Sequence, residues 1–376
     1  MSNNTLKVGV IGCGMVANIG HLPAYQNSPL AEVVAVADPL KAHLKKVQNK
    51  FNIPKCYEDS KDLIDDPNID AISICSPHWL HTEQAIRAAE NGKHILCEKP
   101  IGLSLEEIDE MIKVVEKNDV IFQTATQKRF DLGNQYIKEG ILKKEIGTIF
   151  QASVFWYHSM AQFLEEQPNK ELVQEIGLWR LTDKRCGGGD LLDHGPHYFD
   201  LFRWWFGPVE SVDARIRRIH ETRVNEDHSL VVLTFKESDV ITLFERSEAI
   251  VGDVYGDERG RIHGTQGNYN FSVQAEYKKK PMELEKYIKD EKTYKLAKTK
   301  IPLSKDPMEQ PYAREIRSFI NQVVGRSNED VEFPEEWIPT IYDGRAALEI
   351  VLASYESQRR NERIQLPLNN YDPLNW

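Results

Sequence analysis

The sequence predicts an α/β protein of two domains, the first built on a doubly wound parallel sheet and the second on an open, mainly antiparallel sheet. In the first third of the chain, short β-branched runs alternate with helical patterns, which is typical of a parallel sheet covered by helices on both faces. After about residue 127 the strand patterns become longer, partly alternating and consecutive. We therefore expect a first domain over residues 1–127 and a second α/β domain over residues 128–376.

Five apolar runs mark the strands of the first domain, and helical patterns lie between them. Asn91-Gly92 ends one helical pattern with a residue suited to the left-handed position after a helix. Ser104 and Glu107 form a capping box that opens the next one. The predicted strands are Lys7–Ile11, Ala31–Ala37, Ala71–Ile74, His94–Leu96 and Val120–Thr124, and the predicted helices are Pro39–Lys50, Glu83–Asn91 and Leu105–Asn118.

The second domain is predicted to contain a run of strands and then two helices. A short gap at Lys236–Asp239 suits a hairpin, which predicts an antiparallel sheet. We interpret the Lys/Glu-rich stretch Lys278–Lys300 as a solvated excursion rather than a binding tail. The predicted strands are Ile149–His158, Glu210–His220, His228–Phe235 and Val240–Ser247, and the predicted helices are Gln310–Val324 and, as the last one, about 343–359.

The composition disfavours several classes of protein. The chain has 376 residues with 47 Lys and Arg against 58 Asp and Glu, a net charge of −11, which disfavours binding to nucleic acid or an anionic membrane. The five cysteines are widely spaced, so neither a disulfide framework nor a metal site is expected. No apolar stretch approaches the roughly 20 residues of a membrane span. The start, MSNNTLK, has no signal-peptide pattern, so we expect a cytoplasmic protein.

A glycine-rich turn follows the first predicted strand. Gly12-Cys13-Gly14-Met15-Val16-Ala17 matches the dinucleotide fingerprint, in which the glycines allow a tight turn and a close approach of backbone N–H groups to a pyrophosphate. Asp38 closes the second strand, where a carboxylate accepts hydrogen bonds from ribose hydroxyls. The first domain is therefore predicted to be a Rossmann domain. Because a carboxylate repels a 2′-phosphate, NAD is expected rather than NADP, although Lys41 lies nearby.

A second motif lies at the carboxyl end of the strand His94–Leu96. It reads Cys97-Glu98-Lys99-Pro100. Ligands of open parallel sheets bind outside this edge, so Lys99 is expected to face the nicotinamide. Taken alone, the tripeptide Glu-Lys-Pro is also compatible with a surface turn.

A third motif, Gly187–Asp200, contains two residues suited to proton transfer. If the segment is helical, Asp193 and His197 share one face, so the carboxylate can orient the imidazole. The alternative is a core histidine beside a capping aspartate. Pro196 lacks an N–H, so the helix starts close to it or is kinked there.

These motifs together resemble the Gfo/Idh/MocA family of NAD(P)-dependent oxidoreductases. The G-G-G-x-L-x-D-x-G-x-H-x-x-D pattern of the family is matched throughout at Gly187–Asp200. Most of the chain matches the family in order, through the segments Val8–Ala17, Ser76–His81, Gly92–Pro100, Arg129-Phe130, Gly187–Asp200, Tyr342–Gly344 and Ala353–Ser357.

The resemblance implies that Lys99, Asp193 and His197 form the catalytic set. In alcohol oxidation, His197 would accept the hydroxyl proton and the Lys99 ammonium would stabilise the developing alkoxide. In some relatives the lysine is the base instead, and the sequence leaves both assignments open. The residues expected to bind the cofactor are Gly12, Cys13, Gly14, Met15, Val16, Asp38, Ser76, Pro77, His81, Glu98, Lys99, Gln127 and Arg180.

Aromatic and polar residues of the second domain are expected to hold the substrate. Aromatic faces pack against the C–H face of a sugar, whereas His and Arg bind hydroxyls. Arg129 has a structural ion pair as its alternative, and His194 is expected to turn away from His197. The predicted substrate residues are Lys99, Arg129, Tyr157, Trp179, Asp193 and His197.

The resemblance favours a neutral sugar, glycoside or inositol as substrate, because no second phosphate-binding loop is visible. Expected activities include those of glucoside 3-dehydrogenases and inositol dehydrogenases. Two alternatives stay open: an NAD-dependent glycosidase that acts by transient oxidation and elimination, and a sensor that binds NAD without turnover. The family also implies a homodimer or homotetramer formed through the sheet of the second domain.

Overall fold

The computed structural model describes residues 5–158, 183–221, 223–250, 257–273, 282–289, 296–369 and 371. They form two compact units. The first contains the described residues up to Phe130 together with Pro307–Leu348, and the second contains those of Asp131–Asp306 and those from Glu349 onward. The chain therefore returns to the first unit late, which a single boundary near residue 127 does not anticipate.

The first unit is a Rossmann fold, as the sequence predicts. Its six parallel strands have the order β3-β2-β1-β4-β5-β6, the order of dinucleotide-binding sheets. The sequence did not reveal β3, a three-residue strand without an apolar run. The strands are β1 (Leu6–Ile11), β2 (Ala31–Ala37), β3 (Lys55–Tyr57), β4 (Ala71–Ile74), β5 (His94–Glu98) and β6 (Phe122–Ala125).

Helices cover this sheet, and local signals define their ends. Ser104 accepts a hydrogen bond from the Glu107 N–H at 3.2 Å, and Gly92 has a φ of 66°, so the Ser104 cap and the left-handed glycine are confirmed. A π-helical stretch, Ala17–His21, precedes α1. The α-helices of this unit are α1 (Leu22–Gln26), α2 (Lys41–Phe51), α3 (Ser60–Ile64), α4 (His81–Glu90), α5 (Leu105–Lys117) and α8 (Pro311–Val324), with short 3-10 turns at His78–Leu80, Gln127–Phe130, Pro307–Glu309, Glu329–Val331 and Glu335–Trp337.

The helix α8 belongs to the core of the first unit although it comes late in the sequence. Its residues Ile316 and Phe319 are fully buried in the same cluster as Val8, Leu22 and Tyr25. An amphipathic helix is stable when its apolar face is covered, and this cluster covers that of α8. The first unit is therefore complete only with residues from the last fifth of the chain.

The second unit contains a nine-stranded, mainly antiparallel sheet, again as predicted. The strand order is β14-β13-β12-β11-β7-β10-β9-β8-β15, and among these neighbours only β7 and β10 pair in parallel. The predicted hairpin joins β9 and β10. The strands are β7 (Ile149–Tyr157), β8 (Val209–Arg217), β9 (His228–Phe235), β10 (Ile241–Ser247), β11 (Asp257–Gly264), β12 (Gly267–Val273), β13 (Glu283–Lys289), β14 (Leu296–Ile301) and β15 (Ile364–Gln365).

Helices of the second unit include the one that carries the third motif. They are α6 (Leu132–Leu142), α7 (Asp190–Phe206) and the end of α9 (Ile341–Arg360), with a 3-10 turn at Lys184–Cys186. Trp204 and Trp205 are buried core residues of α7. Within the described part of the chain, no helix has the length and apolarity needed to cross a membrane.

One interpretation of the sequence is wrong: the described part of Lys278–Lys300 is not an excursion. It contributes the edge strand β14 and its neighbour β13, whose side chains are mostly exposed or half-buried. Lys298 and Glu285 form an ion pair across the two strands at 2.7 Å, so charged residues of both signs occur there. Edge strands tolerate this composition because charge there opposes aggregation.

Candidate active site

The glycine-rich turn has the backbone geometry that the fingerprint requires. Gly12 has a φ of 89°, and its N–H donates to the Ala37 carbonyl at 2.8 Å. A Cβ at this position would lie 2.5 Å from the Cys75 carbonyl oxygen, so only glycine fits. Gly14 is half-buried, and the helical segment begins next to it at Met15 and Val16. This turn therefore fits a pyrophosphate at a helix N-terminus.

Asp38 lies beside this turn at the end of β2. Its carboxylate accepts hydrogen bonds from the N–H groups of Cys13 at 2.8 Å and Leu40 at 2.9 Å, and the His43 ring lies 3.5 Å away. A carboxylate has about four acceptor positions, so two backbone donors orient it and still permit hydrogen bonds to ribose hydroxyls. The arrangement fits the adenosine ribose of NAD, although Asp38 is only 9 % exposed.

His81 connects the two loops that follow β4 and β5. Its ring nitrogens lie 2.7 Å from the carbonyl oxygens of Pro100 and Ser76, and its side chain is fully buried. Carbonyl oxygens only accept, so both contacts are hydrogen bonds only when both nitrogens carry protons. Burial lowers the pKa of His81, and the two carbonyls act in the opposite direction. These contacts give His81 a structural role in joining the two loops, and its predicted role in cofactor binding stays a proposal.

The loop after β4 contains the predicted residues Ser76 and Pro77. The Ser76 hydroxyl donates to the Gln84 side chain at 2.6 Å, and Pro77 is extended, with a ψ of 147°. Gln127, which follows β6, donates to the Tyr312 hydroxyl at 3.3 Å. These contacts hold the residues in place within the first unit and leave their predicted role in cofactor binding as a proposal.

Glu98 is held by a histidine that the sequence analysis did not single out. His21 places Nε2 at 3.0 Å from the Glu98 carboxylate and Nδ1 at 2.7 Å from the Ser73 hydroxyl. Burial alone would raise the pKa of Glu98, but the His21 contact outweighs it and the pKa lies below its usual value. Glu98 therefore fixes the end of β5 immediately before Lys99. The Lys99–Pro100 peptide bond is cis.

Arg129 forms the structural ion pair that the sequence left as an alternative. Its guanidinium contacts the Asp343 carboxylate at 2.9 Å and donates to the Trp337 carbonyl at 3.2 Å. The residue is only 3 % exposed. A buried guanidinium needs such partners because an uncompensated buried charge is costly, and this favours the structural role over substrate binding.

The N-terminus of α7 is capped from another part of the chain. The Glu226 carboxylate accepts hydrogen bonds from the N–H groups of Gly189 at 2.8 Å and Leu191 at 2.9 Å, and from the Tyr355 hydroxyl at 3.0 Å. Helix N-termini leave N–H groups without intrahelical acceptors, and Glu226 supplies acceptor oxygens to two of them, while burial raises the pKa of Glu226 to about 8. This cap fixes where α7 begins, six residues before Pro196, so the helix passes through the proline in its second turn.

Four polar residues share one face of α7. Asp190, Asp193, His194 and His197 follow the i, i+3, i+4, i+7 spacing of one helix face. The His194 Nδ1 lies 2.8 Å from the Asp190 carboxylate and 3.8 Å from that of Asp193. The predicted helix face carrying Asp193 and His197 is therefore present, with Asp190 and His194 added to it.

Trp156, from β7, packs against this face. Its ring centroid is 4.6 Å from that of His194 in an edge-on arrangement and 6.1 Å from that of His197. The expectation that His194 turns away from His197 is therefore wrong, because residues three apart on a helix point to the same side.

Tyr157 lies on the opposite side of the sheet from these histidines. Successive residues of a strand point to opposite faces, and Tyr157 lines an open groove with Ser153 and Phe155. Burial, followed by the nearby Glu245 carboxylate, raises the pKa of Tyr157 to about 12. Tyr157, predicted to bind substrate, thus lies on the other face of the sheet from His197, and Trp156 is the residue beside His197. Trp179 and Arg180 lie outside the described residues.

A buried charge network supports the start of α7. The Arg246 guanidinium lies 3.0 Å from the Asp190 carboxylate and 3.2 Å from that of Glu248, and Arg223 lies 2.6 Å from Glu248. Among the described residues, Asp190, His194 and Glu248 could each offer a metal ligand, with their ligand atoms within 4.8 Å of one another. Two guanidiniums already neutralise the two carboxylates, so this cluster does not favour a cation.

Several of these residues had no local signal in the sequence. His21 contacts Glu98, 77 positions away along the chain. Glu226 contacts Gly189, 37 positions away, and Arg246 contacts Asp190, 56 positions away. Such pairings arise from the tertiary fold, so a motif search along the chain does not find them. The one available clue was Asp190, an acidic residue in the first turn of a predicted helix.

Models of protein families match both halves of the chain. Residues 6–126 match the model described as "Oxidoreductase family, NAD-binding Rossmann fold", and residues 134–270 match the model described as "GFO/IDH/MocA C-terminal domain". Together these matches cover well over half of the sequence.

Individual proteins are also similar. The chain is 31 % identical to myo-inositol 2-dehydrogenase of Thermotoga maritima over 267 residues, which cover 70 % of this chain and 74 % of the relative. It is 27 % identical to D-glucoside 3-dehydrogenase of Escherichia coli over 220 residues, covering 57 % and 58 %. A solved structure of levoglucosan dehydrogenase in complex with NADH has the same fold, with a TM-score of 0.81 at 22 % identity, covering 97 % of this chain and all of that one.

Proposed function

Because the chain belongs to the GFO/IDH/MocA family of oxidoreductases, whose first domain binds NAD, we propose that it is an NAD-dependent dehydrogenase of a cyclic polyol. The substrate class is a neutral sugar, glycoside or inositol, oxidised at one ring hydroxyl. The relatives named for inositol and glucoside dehydrogenation support this class. The observation that carries the proposal is the helix face of α7, which carries both Asp193 and His197, with His197 beside the indole of Trp156.

The proposed roles follow from the chemistry of the side chains. Bound NAD supplies the acceptor for the hydride that leaves the substrate carbon. His197 accepts the hydroxyl proton, and Asp193 orients and charge-stabilises its imidazole. The Lys99 ammonium donates a hydrogen bond to the substrate oxygen as negative charge develops there. Trp156 offers an apolar ring against which the C–H groups of a sugar pack.

The activity is tested with the purified protein, NAD and four candidate substrates: myo-inositol, scyllo-inositol, levoglucosan and methyl β-D-glucopyranoside. We expect NADH to appear with at least one of them. Tight NAD binding without turnover of any substrate would support the sensor alternative. Release of a free sugar without net NADH would support the glycosidase alternative.

Lys99→Ala and His197→Ala are expected to lower kcat by roughly 10²-fold or more, the scale of losing an acid–base or oxyanion group. His220→Ala is the matched control, because His220 pairs with a carboxylate, Asp227, at 2.7 Å within the same unit but on a different element. Near-normal kcat in Lys99→Ala would make the Glu-Lys-Pro motif structural. NAD affinity should change little in His197→Ala.

The open face of the second sheet supports a further part of the proposal, a homodimer or homotetramer. This face holds a groove lined by aromatic residues and by charges of both signs, including Phe155, Arg259, Arg261, Glu283 and Glu285. In a dimer with a twofold axis, the same patch of the two subunits meets at the interface. A patch with both signs of charge can then place each positive group near a negative group of the other subunit.

A further inference from the structure

The acid–base face of α7 contains a second histidine that the catalytic scheme does not use. His194 has an 18 % exposed side chain, whereas its partner carboxylate on Asp190 is 1 % exposed. The family pattern matched at Gly187–Asp200 does not specify the residue at either position. Asp190 and His194 are four residues apart on the helix. They form the kind of aspartate–histidine contact that the motif suggested for Asp193 and His197.

The Asp190 backbone carbonyl fixes the tautomer of the His194 ring. It lies 3.2 Å from Nδ1, and a carbonyl oxygen only accepts hydrogen bonds, so Nδ1 carries the proton, with the Asp190 carboxylate 2.8 Å from the same nitrogen. In the neutral ring the lone pair is then on Nε2, at the far side of the imidazole. His194 therefore presents a hydrogen-bond acceptor away from the helix start.

Asp190 is itself anchored, so the orientation of His194 is built into the fold. Arg246, only 1 % exposed, contacts Asp190 at 3.0 Å and donates to the Trp156 carbonyl at 3.2 Å. Its guanidinium also stacks 4.9 Å from the centroid of the Trp156 ring. The same indole contacts the ring of His194. Arg246 therefore contacts both neighbours of that imidazole, the Asp190 carboxylate and the Trp156 ring.

His194 and His197 are close enough to act on one small molecule. They are three positions apart on α7, which places their Cβ atoms roughly 5–6 Å from each other, and both pack against Trp156. Adjacent hydroxyls on a sugar or inositol ring can each meet one of two imidazoles at this spacing. A substrate with a single hydroxyl would engage only one of them.

We propose that His194, oriented by Asp190 and Arg246, binds the hydroxyl adjacent to the one that is oxidised, so that the enzyme selects vicinal diols. His194 is then a specificity-determining residue that contacts substrate, distinct from the proton acceptor. The inference rests on the proposed dehydrogenase activity. It predicts that the enzyme discriminates against substrates lacking one particular neighbouring hydroxyl.

The test compares the wild type with His194→Phe, which keeps an aromatic ring against Trp156 and removes both nitrogens. The substrates are methyl β-D-glucopyranoside with its 2-deoxy and 4-deoxy derivatives, and myo-inositol with its monodeoxy derivatives. We expect one deoxy derivative to lose roughly 10–100-fold in kcat/KM with the wild type, the scale of leaving a polar group of the site without its partner. His194→Phe should lose a similar factor on the parent substrate, mainly through KM, and should no longer distinguish the two substrates.

Two further variants separate binding from a structural effect. His194→Gln retains a polar side chain and should recover part of the discrimination, whereas His220→Phe, the control, should behave as the wild type.

Discrimination that persists unchanged in His194→Phe overturns the inference and leaves the dehydrogenase proposal intact. An equal loss of kcat on every substrate also overturns it, because His194 would then serve structure or proton transfer. Absence of turnover in the wild type overturns both proposals. If His194→Phe does not fold, His194→Leu provides the same comparison, because it also removes both ring nitrogens.

Discussion

At the residue scale, the site depends on ionisable side chains whose partners define their state. Asp38, held by two backbone N–H groups, places a negative charge where a ribose is expected. His81, between two carbonyl groups, and Glu98, beside His21, hold the loops on which Lys99 lies. Most of these groups are buried, so each substitution there changes either a charge or a hydrogen bond that water does not replace.

Asp38→Asn should reduce the preference for NAD over NADP. The substitution keeps the size of the side chain and removes the charge that repels a 2′-phosphate, so we expect the difference in binding free energy to fall by about 1–2 kcal/mol. Calorimetric titration with both cofactors measures it. Glu58→Gln, which removes an exposed charge paired with Lys41, is the control for a general charge effect. An unchanged preference in Asp38→Asn would remove the role assigned to this carboxylate.

His158 should make the protein less stable in mild acid. Burial lowers the pKa of His158 from 6.5 to about 4, the Arg246 guanidinium acts in the same direction, and Glu248 opposes it. A base with a lowered folded pKa stabilises the fold above its unfolded pKa of 6.5 and loses that contribution as the pH falls towards 4. We expect a loss of about 2–3 kcal/mol in the free energy of unfolding over this window.

Urea unfolding of the wild type and His158→Gln between pH 7 and about pH 4.5 measures this effect. The variant is expected to lose less stability over the window, because its amide does not titrate. Parallel curves for the two proteins would show that other groups cause the acid sensitivity.

At the element scale, the sequence predicted the strands with apolar runs and the helices with capping signals. The core strands of the Rossmann sheet and the hairpin of β9 and β10 were found to within a few residues, because burial on one or both faces determines their composition. Strands at the sheet edges, such as β3 and β14, were missed, since few of their side chains are buried. The motif residues on α7 were predicted, but the contacts of their side chains depend on β7 and β10, which no local pattern specifies.

The cap on α7 offers a test at this scale. Glu226→Ala removes the acceptor of the Gly189 and Leu191 N–H groups, and we expect the free energy of unfolding to fall by about 2–4 kcal/mol, more than for an exposed cap. Glu226→Gln keeps one acceptor oxygen and should lose less. Glu237→Ala on the hairpin turn is the control. Equal stability of the wild type and Glu226→Ala, measured by urea unfolding, would contradict the role of this cap.

At the scale of the whole molecule, the open sheet face should determine the state of assembly. Arg261→Glu reverses one charge in the groove, so in a symmetric assembly it places like charges across the interface. We expect the wild type to sediment as a dimer or tetramer and the variant to shift towards the monomer. The dissociation constant of the assembly should rise at least about tenfold. Arg215→Glu on β8, outside the groove, is the control. A wild type that is monomeric at micromolar concentration would contradict the proposal.

The late return of Pro307–Leu348 to the first unit has a consequence for how the protein is made. During synthesis the six strands of the Rossmann sheet leave the ribosome first, yet the helix that covers Leu22 and Tyr25 leaves only after the strands β7 to β14 of the other sheet. The described part of Asp131–Asp306 is therefore an insertion within the cofactor unit rather than an appendage to it. A fragment ending at residue 130 would expose an apolar surface and aggregate, so the cofactor unit cannot be transplanted as an N-terminal module and has to be moved with both of its segments.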